Sequence, residues 1–195
     1  MSLVKRFETI ATRVREAEDP LYDALLATIG SALDAPILVG DSTKPAYRAT
    51  LTYRAARPRG FFSAATGFGT LGFALPAAIG AKIACPDRHV VAMTGDGGIQ
   101  FTLPELMSAK EAGAGIIVLV WNNEGYREIR DHMVRKEIEP IAVDVGPPSF
   151  MKTAEAVGIP GVRVGSMDEL SGLLRARDPA SREPLMIEAG PWMKA

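Results

Sequence analysis

The sequence has few of the features that mark a secreted, membrane-bound or nucleic-acid-binding protein. Its 195 residues include one cysteine, Cys85, so no internal disulfide can form, and we expect a cytoplasmic protein. The longest apolar stretch, Leu71 to Ala81, contains Gly72 and Pro76 and is too short to cross a bilayer. A net charge of −1 provides no basic surface for nucleic acid or for anionic lipid, so neither is an expected partner.

Low complexity and internal repeats are also missing. Glycine and proline together make up 33 of the 195 residues, below the fraction of roughly 25–30% that signals a low-complexity chain. Because 47% of the residues are hydrophobic, a packed core is expected. The length suits one domain. We place that domain at residues 19–195, after a linker helix at 1–18 that is predicted by helical spacing of apolar residues over 4–18.

Short apolar segments alternate with helical segments along this domain. Strands are predicted at residues 36–39, 61–65, 89–94, 116–121, 161–165 and 185–189. Helices are predicted at 20–34, 70–84, 102–113 (with Thr102 as N-cap), 124–136, 149–157 and 168–177, and a surface loop at 43–60. Strands that are apolar on both faces indicate a parallel sheet covered by helices on both sides. The predicted fold is therefore α/β, a three-layer αβα arrangement around a mostly parallel sheet of roughly six strands.

Two loops that follow neighbouring predicted strands carry the clearest chemistry. Gly95-Asp96-Gly97-Gly98 ends one strand and Asn122-Asn123 ends the next, and 24 residues separate Gly97 from Asn122. A carboxylate beside an amide oxygen suits Mg²⁺, which takes further ligands from phosphates. The glycines let backbone N–H groups approach a phosphate. Asp and Asn taken singly are ordinary turn residues, but the paired loops predict a metal-bound diphosphate.

Two other interpretations remain open at this point. Gly67-x-Gly69-x-x-Gly72 fits the dinucleotide fingerprint, and Asp96 lies 24 residues after Gly72, near the position of a ribose-binding carboxylate. An NAD-binding oxidoreductase domain of the Rossmann type is therefore an alternative, although it gives Asn122-Asn123 no role. The other alternative is a catalytically silent module that binds diphosphate and Mg²⁺ and contributes an assembly interface.

The motif Gly95-Asp96-Gly97 … Asn122-Asn123 resembles the cofactor motif of the thiamine diphosphate-dependent acetolactate synthase, pyruvate decarboxylase and benzoylformate decarboxylase family. The segment Thr66 to Ala81 is similar to that family as well. The loops 40–43 and 121–126 look closest to acetolactate synthase-like proteins, a subgroup that includes decarboxylases of basic 2-oxo acids. The resemblance covers residues 20–190 and implies the C-terminal, diphosphate-binding domain and fold of these enzymes. The complete enzyme would act on a 2-oxo acid.

The resemblance also implies roles for single residues. Asp96 and Asn123 would bind Mg²⁺ through their side chains, and Gly125 would bind it through its carbonyl oxygen. The residues expected to contact thiamine diphosphate are Ser42, Thr43, Gly69, Leu71, Gly95, Gly97, Gly98, Asn123 and Tyr126. Among these, the Gly69 carbonyl would face the aminopyrimidine, and Leu71 would lie between the two rings and hold the cofactor bent.

No catalytic residue is expected in this chain. In the family, the glutamate that activates the aminopyrimidine belongs to a separate pyrimidine-binding domain, usually of a neighbouring subunit, and that domain is absent here. We therefore expect a fragment of a homo-oligomeric enzyme, in preference to one subunit of a split enzyme, and no activity from the isolated chain. For Glu128, we favour an ordinary solvated helix face over a contact with a cationic substrate tail.

Overall fold

The computed structural model describes residues 5, 6, 8, 9, 12 and 20–194. Within this part of the chain, six strands form one sheet in the order β2-β1-β3-β4-β6-β5, and every neighbouring pair is parallel. The strands are β1 Ile37–Gly40, β2 Phe61–Ser63, β3 Val90–Gly95, β4 Ile117–Trp121, β5 Gly161–Arg163 and β6 Leu185–Ala189. The predicted parallel sheet is confirmed.

Helices cover both faces of the sheet. They are α1 Pro20–Ala32, α2 Lys44–Thr52, α3 Ala74–Ala84, α4 Asp96–Ile99, α5 Glu105–Glu111, α6 Arg127–Arg135, α7 Phe150–Val157 and α8 Met167–Arg175. Because successive strand residues point to opposite faces, Leu38 and Val91 pack in a core with residues of α1, α2 and α8. Val39 and Ala92 pack in a second core with residues of α3, α5 and α7. The predicted three-layer αβα arrangement is therefore confirmed.

The predicted loop at 43–60 is wrong, because its first half forms α2. The face that α2 buries consists of Pro45, Ala46, Arg48 and Ala49, which gives no large apolar residue at helical spacing. Arg48 is fully buried and donates to the Asp23 carboxylate of α1 at 2.6 Å. A buried guanidinium paired with the partly exposed Asp23 carboxylate thus takes the place of the apolar contact that a periodicity search detects.

Two predicted helix starts are also wrong. The helix predicted from residue 70 begins at Ala74, because Gly72 has a φ of 83° and the residues before it form a glycine-rich turn. The helix predicted from residue 102 begins at Glu105. Thr102 does not cap it: its hydroxyl has no hydrogen-bond partner, and its carbonyl accepts from the Glu105 N–H at 2.9 Å in a tight turn.

The predicted linker helix lies largely outside the described residues. Residues 5, 6, 8, 9 and 12 of it are described, and they are helical; the boundary at residue 19 stays a prediction. Among the helices that the structure describes, none combines the length and the apolar character needed to span a membrane.

The order of the strands determines where a ligand can bind. The chain passes from β1 outward to β2 and then returns across β1 to β3, so the carboxyl ends of β1 and β3 lie at a topological switch point. In open parallel sheets, ligands bind in the crevice at this point. The loops after Gly40 and Gly95 therefore border the expected crevice, and Gly95 pairs with Trp121 of β4, which brings in the loop with the asparagine pair.

Candidate functional site

A cleft of about 310 Å³ opens at the carboxyl ends of β1, β3 and β4. It is lined by every residue that the sequence analysis placed in a cofactor or metal site: Ser42, Thr43, Gly69, Leu71, Gly95, Asp96, Gly97, Gly98, Asn123, Gly125 and Tyr126. Its other lining residues are Lys44, Tyr47, Arg127, Glu128 and Ile129. The sheet thus brings four separate loops to one crevice.

The three groups named as metal ligands converge in this cleft. One terminal atom of the Asn123 amide lies 3.1 Å from the Gly125 carbonyl oxygen and 3.3 Å from Asp96 Oδ1. If this atom is the nitrogen, it donates a hydrogen bond to both oxygens; if it is the oxygen, three oxygens face one another. Adjacent ligands of an Mg²⁺ octahedron are about 3 Å apart, because each Mg–O distance is about 2.0–2.1 Å. The spacing therefore fits one Mg²⁺ ion.

The backbone after β4 is shaped for this arrangement by the first asparagine. Asn122 donates from Nδ2 to Glu188 at 2.7 Å and accepts from the Glu124 N–H at 3.0 Å. The turn places Glu124 at a φ of 64° and Gly125 at a φ of 131°. A side chain at Gly125 would meet the Val143 carbonyl oxygen at 2.6 Å. Asn122 thus holds the turn, and the next asparagine faces the cleft.

Asp96 is buried, and the groups that favour its charged form are backbone N–H groups. Burial raises the pKa of Asp96, while the Gly125 N–H, which donates to Oδ2 at 2.7 Å, acts in the opposite direction. The described residues contain no cluster of three His, Cys, Asp or Glu side chains. One carboxylate with neutral oxygen ligands is a set that suits Mg²⁺ and leaves room for phosphate oxygens.

The Tyr126 ring leaves room only for glycine at position 97, a requirement separate from the expected contact with a diphosphate. A Cβ atom at this position would lie 2.5 Å from Cε1 of Tyr126, whereas carbon atoms in contact are about 3.5–4.0 Å apart. The ring of Tyr126 therefore packs directly on the backbone of the Gly95–Gly98 loop. This contact joins the loop after β3 to the loop after β4.

The glycine-rich turn is attached to the loop after β1. The Ser42 hydroxyl donates to the Gly69 carbonyl oxygen at 2.7 Å, and that oxygen keeps a second lone pair for another donor. Leu71 reaches over α4, since a Cβ atom on Gly98 would lie 3.4 Å from its Cδ2. The turn thus presents a carbonyl oxygen and an apolar side chain to the same cleft.

Two residues of the site were missed by the sequence analysis. Asp41 is buried and accepts hydrogen bonds from the glycine-rich turn; it follows Gly40 at a strand end, as Asp96 follows Gly95, so the repeated pattern was an available signal. Lys44 pairs with Asp131 at 2.6 Å and lies 3.8 Å from Glu128. It was missed because α2 was predicted to be a loop. Half of the Glu128 side chain is exposed, as for a solvated helix face, yet it borders the cleft.

Comparison with known proteins gives a consistent result. The family described as "Thiamine pyrophosphate enzyme, C-terminal TPP binding domain" matches residues 39–189. The chain is 37% identical over 176 residues to the probable 2-ketoarginine decarboxylase AruI of Pseudomonas aeruginosa, covering 88% of this chain and 31% of the relative. It is 40% identical over 109 residues to acetolactate synthase of Bacillus subtilis, covering 56% of this chain and 19% of that enzyme.

A solved structure extends the likeness to three dimensions. The thiamine diphosphate-dependent 4-hydroxybenzoylformate decarboxylase of Rhodococcus jostii RHA1 superposes with a TM-score of 0.76 at 27% identity, over 87% of this chain and 32% of that one. The chain thus spans a third or less of the length of these proteins. The Rossmann-type alternative is not favoured by any of them. The chain belongs to the thiamine pyrophosphate enzymes and is a C-terminal, cofactor-binding domain of that family.

Proposed function

We propose that this chain holds the Mg²⁺-diphosphate end of thiamine diphosphate within a larger 2-oxo acid decarboxylase or acetolactate synthase-like carboligase. The observation that carries the proposal is the convergence of Asp96, Asn123 and the Gly125 carbonyl at the spacing of Mg²⁺ ligands. This trio lies beside Gly95, Gly97 and Gly98, which line the same cleft and leave space for a diphosphate to approach the backbone. One cation and a few backbone donors neutralise such a ligand, in agreement with the net charge of −1.

The remaining lining residues have roles that follow from their chemistry. The Thr43 hydroxyl is the donor that this loop offers to the diphosphate, because the Ser42 hydroxyl donates to the Gly69 carbonyl oxygen and both backbone N–H groups donate to Asp41. The Gly69 carbonyl accepts from the aminopyrimidine. Leu71 gives an apolar support on which a bent cofactor rests. Thiamine diphosphate, when bound, supplies carbanion stabilisation at its thiazolium ring. The chain's own residues position the cofactor and compensate its charge.

We propose further that the cleft is completed by a pyrimidine-binding domain, in a cytoplasmic homo-oligomer. Phe68, on the glycine-rich turn, is fully exposed, and Phe101, after α4, is mostly exposed. Large apolar side chains beside an open cleft favour coverage by another protein surface. The 2-ketoarginine decarboxylase relative is about three times longer than the segment that matches this chain, which leaves room for that domain in a longer protein.

Calorimetry on the chain tests the binding proposal. We expect thiamine diphosphate to bind only with Mg²⁺ present, and NAD not to bind. Asp96→Asn removes a charged ligand and is expected to weaken Mg²⁺-dependent binding by a factor of roughly ten or more. Asp168→Asn, at an exposed carboxylate in the first turn of α8 that does not line the cleft, is the matched control and should bind like the wild type. Tight NAD binding without metal would overturn the proposal.

The substrate is proposed to be a 2-oxo acid, and a basic one is the first candidate. Glu128 borders the cleft and half of its side chain is exposed, so one carboxylate is available to a guanidinium group. Asp131, one helical turn further along α6, is already paired with Lys44 at 2.6 Å. Turnover of 5-guanidino-2-oxopentanoate and of pyruvate is measured on the chain combined with its pyrimidine-binding partner. Glu128→Gln should raise KM for the guanidino acid and leave KM for pyruvate unchanged. If neither acid is turned over, the proposed activity is contradicted, and a silent binding module is the interpretation that remains.

A further inference from the structure

Asp41 is a buried carboxylate that the binding roles above do not use. It is 2% exposed at the end of β1, and burial raises its pKa. A charged group in such a place needs hydrogen-bond donors on both oxygens. The donors to the Asp41 carboxylate belong to four segments: the loop after β1, the glycine-rich turn, the start of α3 and the end of β3.

The two oxygens of Asp41 have different partners. Oδ1 accepts from the Ser42 N–H at 2.7 Å and from the Gly72 N–H at 3.2 Å. Oδ2 accepts from the Gly72 N–H at 3.0 Å, from the Ala74 N–H at 3.4 Å and from the Thr94 hydroxyl at 3.3 Å. Oδ1 therefore attaches mainly to the loop after β1, and Oδ2 attaches to the glycine-rich turn, the start of α3 and the end of β3.

The segment that Asp41 holds is the one that presents Gly69 and Leu71 to the cleft. Gly72 follows Leu71 directly, and its φ of 83° turns its N–H toward the carboxylate. A Cβ atom on Gly98 would lie 3.6 Å from the carboxyl carbon of Asp41 and 3.4 Å from Leu71 Cδ2. The carboxylate and the leucine side chain therefore contact the same surface of α4.

We propose that Asp41 is a positioning residue that fixes the glycine-rich turn, and through it Gly69 and Leu71, in the place where the rings of thiamine diphosphate bind. The proposal rests on the proposed cofactor. Asp41 contacts neither metal nor diphosphate in this arrangement, because its oxygens are occupied by backbone and hydroxyl donors. Its loss should affect the ring end of the cofactor more than the diphosphate end.

Asp41→Asn is a selective perturbation because the side chain keeps its shape. With the amide oxygen in place of Oδ1, the bond from the Ser42 N–H is retained. The amide NH₂ group then occupies the Oδ2 position and faces the Gly72 and Ala74 N–H groups, donor against donor. In the opposite amide orientation, the NH₂ group occupies the Oδ1 position and faces the N–H groups of Ser42 and Gly72. Either way, the turn loses an acceptor.

The experiment compares two probes on the full chain with Mg²⁺ present: thiamine diphosphate, and inorganic diphosphate, which has no rings. We expect Asp41→Asn to weaken thiamine diphosphate binding roughly tenfold or more, and diphosphate binding by no more than about twofold. The control is Lys82→Met, because Lys82 is buried and donates to three backbone carbonyls, of Pro86, Arg88 and Pro179. It should lower the melting temperature without changing the ratio of the two affinities.

The outcomes separate this proposal from the proposed function. If the wild type binds neither probe, the proposed cofactor is wrong. If the wild type binds both and Asp41→Asn weakens both equally or neither, the positioning role is overturned. Should Asp41→Asn fail to fold, Thr94→Val removes the hydroxyl donor that Oδ2 shares with the Gly95 carbonyl oxygen and leaves the carboxylate and its backbone donors in place. A smaller shift of the affinity ratio in the same direction then supports the proposal, and an unchanged ratio refutes it.

Discussion

Substitution of Gly97 by alanine tests whether the Tyr126 ring determines the shape of the site. The new Cβ would lie 2.5 Å from Cε1 and 2.9 Å from Cδ1 of the ring, so the ring must move by about 1 Å to reach an ordinary contact. The Tyr126 N–H is held by the Val143 carbonyl at 2.9 Å, so the side chain has to rotate. Overpacking of this kind costs about 1–3 kcal/mol. Alanine has a higher helix propensity than glycine, and in α4 this offsets up to about 1 kcal/mol of the destabilisation.

We therefore expect Gly97→Ala to lower the free energy of unfolding by about 1–2 kcal/mol in urea titrations. The cost should largely disappear in a Tyr126→Ala background, where the ring is gone. Gly80→Ala in α3 is the matched control: nothing lies within 4 Å of its Cβ position, so it should stabilise by about 0.5–1 kcal/mol. A Gly97→Ala protein as stable as the wild type, or equally destabilised with and without the ring, would refute the reasoning.

Three further predictions concern the rest of the domain. Gly115→Ala should destabilise by more than about 4 kcal/mol in urea unfolding, because its Cβ would overlap the Ser181 carbonyl oxygen, which is backbone and cannot rotate away. Burial and nearby cations lower the pKa of His89. Below about pH 6.5 the unfolded chain therefore binds more protons than the folded chain, and the protein becomes less stable as the pH is lowered. His89→Gln should flatten this pH dependence in melting curves. A hydrogen bond from Lys44 lowers the pKa of Asp131 below its ordinary value of 3.8. The stabilisation that the charged carboxylate gives the folded state is therefore present above that value and is lost as the pH falls through the folded pKa. Lys44→Met should reduce the difference in unfolding free energy between about pH 5 and about pH 3.

Much of the fold could be predicted because the central strands bury both faces. Val118, Leu119 and Val120 of β4 have no exposed side, and such uninterrupted apolar runs between helices have few explanations other than a covered parallel sheet. The helix α2 could not be predicted, because its buried face contains Arg48 and small residues. Its stability comes from a carboxylate on another helix, which a local periodicity cannot show.

The residues of the proposed cofactor cleft were predictable for a different reason. The Tyr126 ring leaves room only for glycine at Gly97, a proposed diphosphate makes the same demand, and a proposed oxygen-only metal site requires side chains such as Asp96 and Asn123. These requirements restrict the residue types directly. Lys44 and Asp41 act through other protein groups, so their residue types follow from distant partners that only the folded chain reveals.

The two Gly-Asp pairs share a sequence pattern, but the surroundings of their carboxylates in the fold differ. Gly40-Asp41 and Gly95-Asp96 follow neighbouring buried strands, and both carboxylates have pKa values raised by burial. Both oxygens of Asp41 accept hydrogen bonds from backbone N–H groups, whereas Oδ1 of Asp96 faces the Asn123 amide and the cleft. Asp41 thus has backbone donors on both oxygens, whereas Asp96, whose Oδ2 accepts from the Gly125 N–H at 2.7 Å, keeps Oδ1 on the side of the cleft where we propose that a cation binds. The same dipeptide is thus a structural anchor on β1 and a proposed metal ligand on β3.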